Sequence, residues 1–142
     1  RMELAKKLGA DVVLGKDHDI VQTIMAHTNG QGVDNSCEFS GSPNALSNTI
    51  HSTRMGGYVN VLSVYGNKMT EIPMNDIVFR YLHVKGINGR KMWSTWDKMH
   101  ELLSEEKIDI DTLVTHRVSF GDYPAGVELA ISGDCGKVVV DF

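Results

Sequence analysis

The chain has 142 residues, enough for one ordinary domain with its own core, and its 42% apolar and 23% charged residues are the balance of a folded globular protein rather than a disordered one. Fourteen basic and eighteen acidic residues leave a formal net charge of −4 with both signs scattered, so no basic stripe faces a nucleic-acid backbone and no polybasic run faces a membrane surface. No apolar run approaches the roughly 20 residues of a membrane-spanning helix, and a cytoplasmic protein with neither nucleic-acid nor membrane partners is expected.

A helical pattern occupies residues 1–8, with Leu4, Ala5 and Leu8 on one face and neither Met nor a capping residue in front; this opening reads as a cut in a longer protein. A strand is predicted at Val12-Val13-Leu14, then a helix from about Ile20 to His27. Asp17 or Asp19 caps that helix, Ile20 and Ile24 form its apolar row, and Asn29-Gly30 stops it. A strand follows at about Val33 to Phe39. Ser42-Pro43 is an N-cap with a first-turn proline opening a helix to about Thr53, and Arg54-Met55-Gly56-Gly57 is expected to close it. The strand Tyr58 to Val64 leads to a loop with Gly66 and Asn67, a short apolar segment around Ile77 to Phe79, and a strand from Leu82 to Ile87.

The helix predicted at 92–103 carries Met92, Trp96, Met99 and Leu103 on one stripe, which reads as a packing face. A strand around Leu113 to Phe120, a helix from Asp122 to Ile131 and a strand from Lys137 to Phe142 complete the chain. Helices and strands alternating at this spacing predict an α/β fold of parallel βαβ units.

Cys37 and Cys135 show no CxxC spacing and no nearby His pair, so both are read as free thiols, Cys37 as a small buried hydrophobe and Cys135 as a turn residue. The six histidines share no HxxxH spacing, and no carboxylate pair, Ser-His-Asp arrangement or Walker loop can be assembled. No catalytic residue and no metal ligand is therefore assigned. The parallel-sheet reading directs attention instead to the carboxyl ends of three strands, Phe39-Ser40-Gly41, Leu62-Ser63-Val64 and Ile87-Asn88-Gly89, because ligands of such sheets settle outside those ends. Taken alone, these Gly/Ser ends read first as turns, which need the same residues.

The block Lys85-Gly86-Ile87-Asn88-Gly89-Arg90-Lys91-Met92-Trp93-Ser94-Thr95-Trp96, with Arg1 to Ala10, Phe39-Ser40-Gly41-Ser42-Pro43, Thr115-His116-Arg117 and Ser132 to Val139, resembles the zinc-type medium-chain dehydrogenases, and among them the L-threonine 3-dehydrogenases. The resemblance implies a C-terminal fragment: residues 1–112 as a truncated Rossmann-type NAD-binding domain and 113–142 as the return segment of the catalytic domain. It implies NAD as cofactor, zinc bound by the full-length parent but not by this chain, a small-molecule alcohol as substrate and a homo-oligomer, dimer or tetramer. By the same resemblance Leu62, Ser63, Val64, Ile87 and Asn88 line the nicotinamide side of the cofactor, and Arg1 sits beside its adenosine end; read without it, Arg1 is equally a frayed terminal residue. Ser63 stands where relatives often carry glycine and Asn88 where they often carry an aromatic residue. Lys137 resembles a basic position near the pyrophosphate and reads otherwise as a solvated charge; His116 is read as a structural histidine at a domain joint. A threonine, polyol, butanediol or other secondary-alcohol dehydrogenase is implied for the parent. The isolated fragment is expected to be inactive, or to serve only as an assembly module.

Overall fold

The computed structural model describes residues 1–15, 17–66 and 69–142, so the turn residue Asn67 lies outside the described residues. In chain order the elements are α1 (Met2–Lys7), α2 (Ile20–His27), β1 (Val33–Glu38), α3 (Pro43–Ser52), β2 (Thr53–Val61), α4 (Met74–Phe79), β3 (His83–Gly86), α5 (Ser94–Ser104), α6 (Ile110–Leu113), β4 (Val114–Ser119), α7 (Tyr123–Ser132) and β5 (Lys137–Asp141), with a 3-10 turn at Phe120–Asp122. They fall into two units, Asp17–Gly89 and Arg1–Lys16 with Arg90–Phe142.

In the unit Asp17–Gly89 the strands form a parallel sheet in the order β1-β2-β3, the α/β arrangement expected from the alternating pattern. Asn35 to Glu38 pair with Tyr58 to Val61, and Tyr58 to Val61 pair in turn with His83 to Gly86. Leu46 and Ile50, one turn apart on α3, pack with Val59 and Leu82 as the buried core, and Val61, Tyr65 and Ile77 close around them. Full burial of each such side chain is worth about 1.5–3 kcal/mol. Asp19 caps α2 as predicted, its Oδ1 accepting the Gln22 N–H at 2.9 Å. Ser42 occupies the N-cap position of α3 in an extended conformation, but its side chain makes no cap bond.

Three expectations change between Val12 and Gly57. Val12 to Leu14, expected as a strand, join no ladder. Arg54 to Gly57 do not stop α3 but begin β2, which bulges: Val33 faces Thr53 while Asn35 faces Tyr58. The bulge needs Gly56, whose φ is +68° and whose N–H donates to the Arg80 carbonyl at 2.8 Å. The end of α3 is held instead by the Arg80 guanidinium, which donates to the Ile50 and His51 carbonyls at 3.2 Å each and to the Thr53 carbonyl. Cys37 is exposed rather than buried, since on β1 only Glu38 turns fully inward.

In the other unit β4 and β5 pair in parallel, His116 to Ser119 against Val138 to Asp141. α7 packs on them through the buried Gly126, where a Cβ would lie 3.0 Å from Val118 Cγ2. Cys135, expected in a simple turn, is buried at 4% exposure with its Sγ 3.5 Å from the Leu129 carbonyl. The stripe Met92, Trp96 and Met99 has the spacing of a packing face, yet all three are exposed and the Arg90 guanidinium lies over Trp96 at 5.4 Å; no described element covers them, and Leu103 alone on that row is partly shielded. Among the described residues no helix is long and apolar enough to cross a membrane.

Candidate functional site

The carboxyl ends of β1 and β2 meet on one buried carboxylate. Glu38 is the last residue of β1 and 2% exposed. Its Oε1 accepts from the Ser40 N–H at 2.7 Å, the Ser40 hydroxyl at 2.6 Å and the Gly41 N–H at 3.1 Å. Its Oε2 accepts from the Tyr65 hydroxyl at 2.6 Å and from the Ser63 hydroxyl, with the Gly41 N–H also within 3.3 Å. Burial pushes this carboxyl up, but the donors from Ser40, Ser63 and Tyr65 outweigh it and hold it at about 2. Tyr65 is raised, first by burial and then by its bond to the carboxylate, and so keeps the proton it donates.

The main chain aligns the same ends. The Leu62 N–H donates to the Glu38 carbonyl at 3.0 Å and the Ile87 N–H to the Val61 carbonyl at 2.8 Å, carrying the ladder past the last paired residues. Gly41 has φ +71°, and a Cβ there would lie 3.0 Å from the Val64 carbonyl, so the turn after β1 lies against the segment after β2. Strand alternation persists through that segment: Ser63 and Tyr65 turn toward Glu38, while Leu62 and Val64 stay exposed, Val64 at 88%. The result is a sheet edge with apolar surface outward and polar fixings inward.

The structure thus brings together Leu62, Ser63 and Val64 with Ile87 and, just beyond it, the exposed Asn88. The Ser63 hydroxyl, expected to be available to a ligand, is committed to Glu38. Arg1 belongs to the other unit, where its Nε donates to the Cys135 carbonyl at 2.9 Å. Lys137 is exposed at the start of β5. Sequence reasoning missed Glu38 and Tyr65. The available signal was a glutamate ending a strand with Ser-Gly two and three residues on, a spacing at which free amides can turn back onto the carboxylate.

Ser47, His51 and Asp76 do form a row, which sequence spacing did not suggest: the Ser47 hydroxyl is 3.2 Å from His51 Nδ1 and Asp76 Oδ2 is 3.5 Å from His51 Nε2. Ser47 sits inside α3, where amides are spent on helical bonds and none is free to hold an oxyanion. His116 meets only its neighbour, Thr115 Oγ1, at 2.9 Å among its described partners. Among the described residues no group of three or more His, Cys, Asp or Glu side chains is placed to hold a metal ion.

Residues 1–105 match the family model described as zinc-binding dehydrogenase. The chain is 40% identical over 141 residues to the L-threonine 3-dehydrogenase of Bacillus licheniformis, covering 99% of this chain and 41% of that protein. It is also 40% identical over 141 residues to the L-threonine 3-dehydrogenase of Pyrococcus horikoshii, covering 98% and 40%. The crystal structure of 2R,3R-butanediol dehydrogenase from Bacillus subtilis superposes with a TM-score of 0.86 at 31% identity, over 99% of this chain and 40% of that one. The chain therefore spans about two fifths of the length of these relatives.

Proposed function

Because this chain belongs to the zinc-binding dehydrogenase family, we propose that it is the cofactor-facing C-terminal portion of an NAD-dependent dehydrogenase whose full-length form oxidises L-threonine to 2-amino-3-ketobutyrate. Residues 1–112 are then the NAD-binding part and 113–142 the return segment of the catalytic domain. The observation that carries the reading is the aligned carboxyl edge of β1, β2 and β3, where a dinucleotide settles in a doubly wound sheet.

When bound, NAD accepts the substrate's hydride. This chain's share is to bind and orient: the exposed Leu62 and Val64 offer apolar surface to the nicotinamide side, Ile87 and Asn88 offer backbone at the next strand end, and the Gly41 turn, with no Cβ, packs closely against the Val64 carbonyl. Ser63 contributes through its backbone, its hydroxyl being taken by Glu38. Arg1 is assigned to the adenosine end. Zinc is implied by the family for the full-length protein, but the described residues do not offer a ligand set; its ligands are assigned outside this chain, and the isolated chain is assigned no turnover of its own.

A butanediol or polyol substrate is the second reading, favoured by the likeness to the butanediol dehydrogenase structure. A homo-oligomer, dimer or tetramer, in the cytoplasm completes the proposal, supported by the open outer edge of β3, whose residues His83 to Gly86 are all exposed. If that edge is the chain's whole role, the isolated chain dimerises without affinity for nucleotide.

The test is titration calorimetry of NAD on the full-length protein carrying Ser63→Phe or Asn88→Trp, beside the surface control Glu105→Gln. Overpacking costs roughly 1–3 kcal/mol: Asn88→Trp crowds the exposed strand end directly, and Ser63→Phe, whose side chain points inward to Glu38, displaces the Leu62–Val64 backbone from beneath, so both variants should bind NAD about tenfold more weakly or worse. Wild-type affinity in both would mean that these strand ends do not face the cofactor.

A further inference from the structure

Glu38 has no cation beside it among the described residues; its partners are all neutral donors. An apolar side chain would fill the same place without the cost of burying a charge. It could not, however, gather two amides and three hydroxyls that arrive from two different segments, Ser40 and Gly41 after β1 and Ser63 and Tyr65 after β2. Those segments are where Gly41 closes on the Val64 carbonyl and where Leu62 and Val64 are presented outward. The carboxylate itself is sealed beneath them and reaches no ligand.

We infer that Glu38 is a positioning residue for the cofactor: by tying the turn after β1 to the segment after β2 on a single buried carboxylate, it holds the Leu62–Val64 backbone in the conformation that receives the nicotinamide end. The inference rests on the proposed reading that these strand ends face NAD. Its cause is entropic. Two loops left free to move must be ordered when the dinucleotide binds, whereas loops already fixed need no further ordering. Glu38→Gln keeps the volume but turns one acceptor oxygen into a donor that faces donors, so the shared fixing of the two segments is lost while the core beneath is retained. Tyr65→Phe removes one hydroxyl and leaves the carboxylate.

NAD binding to the full-length protein is measured by titration calorimetry at a temperature where circular dichroism shows each variant folded, together with the thermal midpoint without NAD. Affinity of the folded population is a quantity that loss of stability alone does not move. Glu38→Gln is expected to weaken NAD binding about tenfold and Tyr65→Phe about threefold, with the Glu105→Gln control unchanged. If Glu38→Gln does not fold, Tyr65→Phe and Ser40→Ala decide the matter, since each removes one donor to the carboxylate and leaves the carboxylate in place, Ser40→Ala also freeing the exposed Ser42 N–H. Weaker binding in Asn88→Trp with wild-type affinity in the Glu38, Tyr65 and Ser40 variants overturns the positioning role and leaves the proposed function standing. Wild-type affinity in both Ser63→Phe and Asn88→Trp removes the proposed function itself.

Discussion

Replacing Glu38 by glutamine should remove a specific, pH-dependent share of the stability of the unit Asp17–Gly89. The carboxyl lies at about 2 in the folded protein against an ordinary 4.5, and each step of one in pKa is about 1.4 kcal/mol; the ionised form is therefore favoured by folding by about 3 kcal/mol. The group is depressed, so this share is fully present above about pH 4.5 and is lost as pH falls through about 2. The geometry supports the size. Charge-assisted bonds are worth about 1.5–3 kcal/mol each, and the donors of Ser40, Gly41, Ser63 and Tyr65 together must also offset burial of the charge at 2% exposure. Urea unfolding of wild type and Glu38→Gln is to be followed by circular dichroism at steps from pH 7 to pH 2.5. The difference between the two proteins, in which every other carboxylate cancels, should be about 3 kcal/mol at pH 7 and should shrink steadily below about pH 4.5. A difference that stays constant across this range would refute the reasoning, because an uncharged packing role has no such slope.

Arg80→Met should destabilise the same unit by about 2 kcal/mol in the same urea assay, since it uncovers the Ile50, His51 and Thr53 carbonyls at the end of α3; a neutral result would mean that water replaces the guanidinium freely. Gly32→Ala should cost roughly 2–4 kcal/mol, because φ is +86° and the new Cβ would lie 2.5 Å from the Ser52 carbonyl oxygen. Gly9→Ala, at φ +96° with nothing within 4 Å, should cost only about 1–2 kcal/mol, and equal losses at the two glycines would show that backbone conformation alone sets the penalty.

What the amino-acid sequence determined by itself was whatever depends on neighbours along the chain. Alternating periods of 3.6 and 2 imply βαβ units, and such units bring consecutive strands side by side; hence the parallel β1-β2-β3 sheet and the grouping of Leu62, Ser63 and Val64 with Ile87 were legible. The Asp19 cap was legible too, because a cap acts within three residues. What only the tertiary structure decided were the pairings between distant residues. Glu38 reads in sequence as one more polar residue of a mixed strand, and its meaning comes from Ser63 and Tyr65, 25 and 27 positions away. Arg54 to Gly57 look like a helix stop until Arg80, far along the chain, caps α3 and frees them to join β2. Val12 to Leu14 carry strand residues yet join no ladder, and Cys37 and the Met92–Trp96–Met99 stripe carry residue types common in buried faces yet are exposed. Composition and period fix which face a residue takes on its own element; burial and hydrogen bonding also require the partner that faces it, and that partner is set by the fold.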